Sequence, residues 1–156
     1  MVLKYILSGF TLLAVFALIL AYSGGSAVAD IYTYNNESPS DSVSEEQILV
    51  YNDKVILDLQ NIKWVTYTNT GSMKPVIDEG ANGLEVVPKF ESELKVGDIV
   101  SYNASWNEEL VVHRIVGMGE DVFGTYYILK GDNNQEHDSG KIRFEQIKYK
   151  TIAIIY

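Results

Sequence analysis

Short apolar stretches alternate with polar turns along most of this chain. Runs of four to nine residues rich in Val, Ile, Leu and Tyr, without a helical apolar period, predict β-strands. Clusters of Gly, Asp and Asn predict turns between them, the main ones at residues 78–80, 95–98, 117–119 and 131–134. The predicted strands cover residues 48–51, 54–59, 63–68, 83–87, 98–102, 110–116, 126–129 and 148–156. Many short strands and no amphipathic helix are typical of a compact, all-β domain, which we expect over residues 47–156.

The longest apolar stretch, residues 5–22, has a different pattern, because only three small or polar residues interrupt it. A helix of these 18 residues just reaches across a hydrocarbon core of ~30 Å. Lys4 precedes it, which favours a cytoplasmic N-terminus and a domain on the outer face of the membrane. We therefore predict one N-terminal transmembrane helix within residues 1–23.

A cleaved signal peptide is the alternative to a membrane anchor. The small-x-small sequence Ala27-Val28-Ala29 is typical of a cleavage site, and cleavage there would release a chain that starts at Asp30. Both alternatives place the following domain outside the cytoplasm. Residues 24–46 are polar, with Gly and Ser at their start, and predict a flexible linker between the anchor and the domain.

Composition excludes several classes of chemistry. The chain of 156 residues has a formal net charge of -9, which argues against binding to a nucleic-acid backbone. It contains no cysteine, which excludes disulfides, thiolate catalysis and thiolate-bound zinc. The two histidines, His113 and His137, lie in different segments without the spacing of a zinc site, and no Gly-rich phosphate loop is present. We therefore predict neither a metal nor a cofactor.

A hydroxyl at a bend is the first candidate for catalysis. Ser72 follows a predicted strand, with Gly71 before it and Pro75 three residues after it. A serine at such a turn can be exposed as a nucleophile beside backbone N–H groups that bind an oxyanion. These residue types are also common in ordinary polar turns, so the turn alone does not establish a nucleophile.

Four short motifs in a fixed order change that judgement. They are Gly71-Ser72-Met73-Lys74-Pro75, Leu94-Lys95-Val96-Gly97-Asp98-Ile99-Val100-Ser101-Tyr102, Val111-Val112-His113-Arg114-Ile115-Val116 and Leu129-Lys130-Gly131-Asp132-Asn133-Asn134 followed by Asp138. Together these motifs resemble those of type I signal peptidases of the archaeal and endoplasmic-reticulum kind. The resemblance is close over roughly the C-terminal half of the chain and loose over the N-terminal anchor. After Pro75 the chain departs from the family, since residues 81–83 replace its usual aspartate turn.

The resemblance implies a serine-histidine-aspartate arrangement. Ser72 matches the family's nucleophile, and His113, which precedes Arg114, matches the general base. Asp132 and Asp138 match the family's two aspartates. The second is the better match for the residue that orients the histidine, while Asp132 is expected to pair with an arginine such as Arg114; the residues themselves leave this assignment open.

The resemblance also implies an oxyanion hole and a substrate contact. The backbone N–H of Ser72 and the hydroxyl of Thr70 are expected to bind the oxyanion, and Met73 is expected to pack near the substrate. His137 is a second histidine near Asp138, but it matches no fixed histidine of the family. We interpret it as a loop residue and a weaker candidate for the base.

The function implied is a membrane-anchored serine endopeptidase that removes signal peptides from exported preproteins after small-x-small sites. Its expected partners are preprotein signal peptides, membrane lipid and the protein-export channel. One alternative, a self-cleaving repressor with a serine-lysine pair, needs a lysine where this chain has His113. The other alternative is a secreted or anchored β-domain that acts as a binding module and keeps a non-catalytic, peptidase-like shell.

Overall fold

The computed structural model describes residues 37–156, which form a mainly β domain with antiparallel sheets. The transmembrane helix expected within residues 1–23 lies outside the described residues, and no helix between residues 37 and 156 is long and apolar enough to cross a membrane. Three single-turn 3₁₀ helices precede or separate strands, at Glu45–Gln47, Glu91–Glu93 and Phe144–Gln146. The strands are β1 (Ile48–Val50), β2 (Val55–Leu57), β3 (Lys63–Thr66), β4 (Asn82–Val86), β5 (Ile99–Asn103), β6 (Leu110–Asp121), β7 (Gly124–Lys130) and β8 (Ile147–Ile155).

The strands form two sheets. β1 and β2 pair as the predicted hairpin, and all six of their residues, although apolar, are exposed. The other six strands form one sheet in the order β3-β4-β8-β5-β6-β7, in which every neighbouring pair is antiparallel. The mainly β class predicted from the alternation is therefore confirmed.

One predicted turn is wrong. Residues 117–119 continue strand β6, and the hairpin turn to β7 lies at residues 122–123. A register shift between Ile115 and Gly117 absorbs the irregularity, so the glycine does not end the strand. The turn forms instead where Asp121 accepts a hydrogen bond from the Phe123 N–H and where Gly124 has a φ of 100°.

The central strands β5 and β6 separate two apolar clusters, because alternate residues of a strand point to opposite faces of a sheet. Ile99 and Val112 pack into one cluster, whereas their neighbours Val100 and Val111 pack into the other. The register pairs Val100 with His113, so His113 shares the face of the second cluster. That cluster contains Leu94, Val100, Tyr102, Ala104, Val111, Ile115, Tyr127, Leu129, Ile142 and Ile147.

The described end of the predicted linker contacts the domain. Both the backbone N–H and the hydroxyl of Ser40 donate hydrogen bonds of 2.7 Å to Asp98, which is fully buried. The ammonium group of Lys150 in β8 donates to the Ser40 hydroxyl at 2.7 Å and lies 3.4 Å from the Asp98 carboxylate. Contacts of the domain therefore begin before the boundary near Gln47 that the sequence predicts.

Candidate active site

Ser72 lies in the connection between β3 and β4, in the turn predicted for it. Gly71 before it has a φ of 72°, a left-handed conformation that favours glycine, and so the chain bends where the sequence predicts. The Ser72 hydroxyl lies 3.1 Å from the hydroxyl of Thr70, within hydrogen-bond distance. The Ser72 N–H points to the same Thr70 oxygen at 3.4 Å. Thr70 is therefore adjacent both to the candidate nucleophile and to the candidate oxyanion donor.

The turn after β7, at residues 131–134, holds the loop that contains Ser72, here called the serine loop. The backbone N–H of Asn133 donates to the Ser72 carbonyl at 2.8 Å, and its side-chain amide donates to the Gly71 carbonyl at 3.0 Å. Gly131 is packed so closely that an added Cβ would lie 2.6 Å from the Ser72 carbonyl oxygen. This close approach requires glycine and holds the serine loop against the segment that leads to Asp138.

His113 and Asp138 form a buried pair. The Nδ1 atom of His113, in the first half of β6, lies 2.6 Å from the Oδ2 atom of Asp138. The Asp138 N–H donates to the carbonyl of Leu129 in β7 at 2.8 Å, which positions this residue beside the neighbouring strand. Because an ionised carboxylate only accepts hydrogen bonds, Nδ1 carries the proton in the neutral histidine. The Nε2 atom is then unprotonated and can act as a base.

Asp132 has a different partner. Its two carboxylate oxygens each accept a hydrogen bond of 2.7 Å from Arg114, through Nε and Nη2. The remaining Arg114 Nη1 donates to the Gly97 carbonyl at 2.7 Å. This bidentate pair ties the turn after β7 to β6 and to the loop before β5. The structure thus places Asp138, and not Asp132, against the imidazole of His113.

A groove with a volume of about 290 Å³ passes between the serine loop and β6. Ser72 and His113 both line it, together with Thr70 and Met73. Its walls are partly apolar, and its other lining residues include Tyr67, Ile77, Trp106, Leu110, Val111 and Asn134. A partly apolar groove with a few polar groups is typical of a binding site.

Ser72 and His113 share this groove without a direct bond. In the part of the chain that the structure describes, the Ser72 hydroxyl is hydrogen-bonded to Thr70 and not to His113. Catalytic hydrogen bonds are often long or unformed before substrate binds. Proton transfer from Ser72 to His113 would require these two side chains to come within hydrogen-bond distance of each other.

The other two predicted site residues differ in position. Met73 is buried in the apolar cluster with Tyr67 and Ile77, and it also lines the groove, while its predicted contact with substrate stays a prediction. His137 is exposed, and its Nδ1 atom lies 2.8 Å from the Asp138 backbone carbonyl. It lines a second, more open cavity with residues 133–139, so it is not beside Ser72.

Sequence reasoning assigned no role to two residues that shape the site. The hydroxyl of Tyr102 donates a hydrogen bond of 2.6 Å to Asp138 Oδ2, and Asn133 holds the backbone of the serine loop. Both residues lie inside the motifs that carry the family resemblance. Their roles depend on the pairing of β5 with β6 and on the approach of two distant turns, which spacing along the chain does not reveal.

Among residues 37–156, no group of three or more His, Asp or Glu side chains is arranged to hold a metal ion. The side chains that the structure brings to this groove are a hydroxyl and an imidazole, the latter paired with a carboxylate.

Comparisons with known proteins add one partial similarity. No protein-family model matches the chain, and no solved structure matches it. A segment of 44 residues is 41% identical to a protein of Methanocaldococcus jannaschii named Uncharacterized protein MJ0260. The segment makes up 28% of this chain and 22% of the relative's length. The relative's name states no activity, so this similarity assigns no function.

Proposed function

We propose that this chain is a serine endopeptidase with a signal-peptidase-like catalytic domain. The observation that carries the proposal is the pair of His113 and Asp138, 2.6 Å apart and buried, beside a groove that Ser72 also lines. A histidine oriented by a carboxylate next to a serine is the arrangement that activates a hydroxyl for attack on a peptide carbonyl.

The first half of the reaction forms an acyl-enzyme. His113 Nε2 takes the hydroxyl proton of Ser72 as the serine oxygen attacks the scissile carbonyl carbon. The Ser72 N–H and the Thr70 hydroxyl donate to the resulting oxyanion, since both already lie at the serine. Asp138 stabilises the imidazolium without taking its proton. His113 then gives the proton to the departing amine, and the peptide bond breaks.

The second half releases the acyl group. A water molecule gives its proton to His113 and attacks the ester carbonyl, and Ser72 recovers its proton when the ester bond breaks. The acid product is the segment that ends at the cleavage site. Substrate is expected to lie extended along the groove, with backbone hydrogen bonds supplying affinity and shallow sites excluding large side chains.

The cellular setting of the proposal rests on the sequence. The apolar residues 5–22 would hold the enzyme in the membrane by a single pass, with the catalytic domain on the extracytoplasmic face. Its substrates would be preproteins whose signal peptides emerge from the export channel beside membrane lipid. Cleavage would follow small-x-small sites.

The test is cleavage of a synthetic preprotein by membranes that contain the full chain, with the product mapped by mass. We expect Ser72→Ala and His113→Ala each to lower the rate by at least about 10⁴-fold, because the members of such a triad act as a unit. His137→Ala is the matched control and is expected to retain activity, since His137 lies outside the groove of Ser72.

Circular dichroism and equal membrane content would establish that the inactive variants are folded. A folded Ser72→Ala chain that still cleaves would contradict the proposal. If the wild-type chain binds the preprotein and leaves it uncut, the domain is a binding module instead of a peptidase.

A further inference from the structure

A tyrosine shares the carboxylate oxygen that orients the candidate base. Tyr102 in β5 donates its hydroxyl proton to Asp138 Oδ2 at 2.6 Å, and His113 Nδ1 lies 2.6 Å from the same oxygen. The other Asp138 oxygen receives neither of these two hydrogen bonds. The sharing is a consequence of strand pairing, because the register places Tyr102 and His113 diagonally on one face of β5 and β6.

The Tyr102 hydroxyl can only donate in this environment. The side chain has no exposed surface, and its ring lies in the same apolar cluster as Val100 and Val111. Burial and the adjacent Asp138 carboxylate raise the pKa of the phenol above its ordinary value, so the hydroxyl keeps its proton. A protonated phenol next to an ionised carboxylate makes a short, charge-assisted hydrogen bond.

We propose that Tyr102 is a positioning residue of the site: it fixes Asp138 Oδ2 and limits how strongly that oxygen holds the Nδ1 proton of His113. The inference rests on the proposed function only for its catalytic consequence. An oxygen that accepts two short hydrogen bonds gives less electron density to each, so the phenol weakens the bond to the imidazole. The same contact restricts rotation of the carboxylate and thereby the direction in which Nε2 faces.

Removal of the hydroxyl has two expected effects. In Tyr102→Phe, Asp138 Oδ2 retains one donor, the hydrogen bond to His113 shortens, and the Nδ1 proton resonance moves downfield. The carboxylate also gains freedom to rotate, and kcat falls about 10-fold with little change in KM, because the base loses its alignment with Ser72.

The chain offers a matched control in the same apolar cluster. Tyr127 is also fully buried, and within the described residues its hydroxyl has no hydrogen-bond partner. Tyr127→Phe therefore removes a buried phenol oxygen of the same kind without removing a contact to Asp138. We expect it to leave both the His113 resonance and kcat unchanged. A general effect of deleting a core hydroxyl would appear equally in both variants.

The experiment measures the low-field proton spectrum of the full chain, labelled at histidine and held in detergent micelles at one fixed pH. The chain has two histidines, so His137→Ala assigns the His113 signal. Preprotein cleavage by the same samples gives kcat and KM per folded molecule. The proposal expects a downfield shift and a lower kcat in Tyr102→Phe, and neither change in Tyr127→Phe.

An unshifted resonance in a folded Tyr102→Phe chain would overturn the inference, as would an equal shift in Tyr127→Phe. If Tyr102→Phe does not fold, 3-fluorotyrosine introduced at position 102 replaces it as the probe. The more acidic phenol donates more strongly, so the His113 resonance should move upfield, and no movement would overturn the inference. If the wild-type chain cleaves nothing, the proposed function fails, while the resonances still decide how Tyr102 acts on the pair.

Discussion

The two faces of the six-stranded sheet each contain a buried carboxylate, and their partners differ. Asp138, on the face of His113, accepts hydrogen bonds from an imidazole and a phenol, both at 2.6 Å. Glu85 in β4, on the opposite face, accepts one side-chain hydrogen bond of 2.6 Å, from Ser101. Burial raises the pKa of Glu85, and the Ser101 hydroxyl and the charge of Lys63 offset this only in part.

A perturbed pKa does not by itself locate the catalytic chemistry of this domain. The pKa of Glu85 is raised, and acids with perturbed pKa values often mark functional sites. It is 1% exposed and Ser101 is 2% exposed, so substrate does not reach this pair. Asp138 is also buried, but its imidazole partner lines a groove with Ser72. A buried carboxylate is a candidate for catalysis when the side chain that it binds lines the groove, and it is structural when that side chain does not.

The largest expected effect is the difference in kcat between the variants Asp138→Asn and Glu85→Gln. Both substitutions are isosteric, and each removes one charge. Asp138→Asn is expected to lower kcat by about 10⁴-fold, because an amide no longer selects the tautomer with the proton on Nδ1. Glu85→Gln is expected to change kcat by less than about 3-fold, since this pair lies outside the groove, away from Ser72 and His113. Steady-state cleavage of the preprotein by full-length chains measures both.

The folded fraction of each variant must be measured with the rates, because both side chains are buried. If Asp138→Asn cleaves at a rate near that of the wild type, Asp138 is a structural carboxylate like Glu85. A large loss of kcat in folded Glu85→Gln would remove the distinction between the two faces.

The next expected effect comes from Gly131→Ala, which would move the candidate nucleophile Ser72 and leave Asp138 and Glu85 in place. The added Cβ would lie 2.6 Å from the Ser72 carbonyl, so the serine loop must shift away from the turn. A displacement of this kind is expected to lower kcat by about 10- to 100-fold. Rates of preprotein cleavage under saturating substrate measure the loss.

Gly119→Ala is the control for Gly131→Ala, because its Cβ would also be crowded, by the hydroxyl of Tyr126, but at the distal end of the β6–β7 hairpin. We expect Gly119→Ala to lower thermal stability and to leave kcat of the folded chain unchanged. Equal kcat values for the two variants would mean that the contact between Gly131 and Ser72 does not position the nucleophile.

The sequence predicted the elements that depend on local pattern. The β class, the β1–β2 hairpin and the bend at Gly71 follow from residues close together in the chain, and the structure contains all three. The turn predicted at residues 117–119 was wrong, because the glycines there are absorbed by a register shift within a strand. Two glycines close together in an apolar run indicate either a turn or a bulge within a strand. The pairing of β6 with β7 decides between these two structures.

The candidate site was only partly predictable for a related reason. Ser72, His113 and the two aspartates were found as residue types within motifs, but their mutual geometry depends on which strands are neighbours. The sequence left open whether Asp132 or Asp138 is the partner of His113. In the structure Asp132 forms a bidentate pair with Arg114, and Asp138 is the carboxylate beside His113. Tyr102 was read as a strand residue, because only the β5–β6 register brings its hydroxyl to Asp138.

The smallest expected effect concerns the stability that Glu85 contributes. Its pKa is raised above 4.5 in the folded chain, so its contribution is fully present below about pH 4.5 and is lost as pH rises through the folded value. Glu85→Gln does not titrate, and the stability of the wild type relative to this variant should fall across that window by up to about 1.4 kcal/mol per pH unit. Urea unfolding at a series of pH values measures the difference. A difference that stays constant with pH would mean that Glu85 is ionised as easily inside the sheet as in the unfolded chain. The contrast between Glu85 and Asp138 would then reduce to the imidazole partner of Asp138 alone.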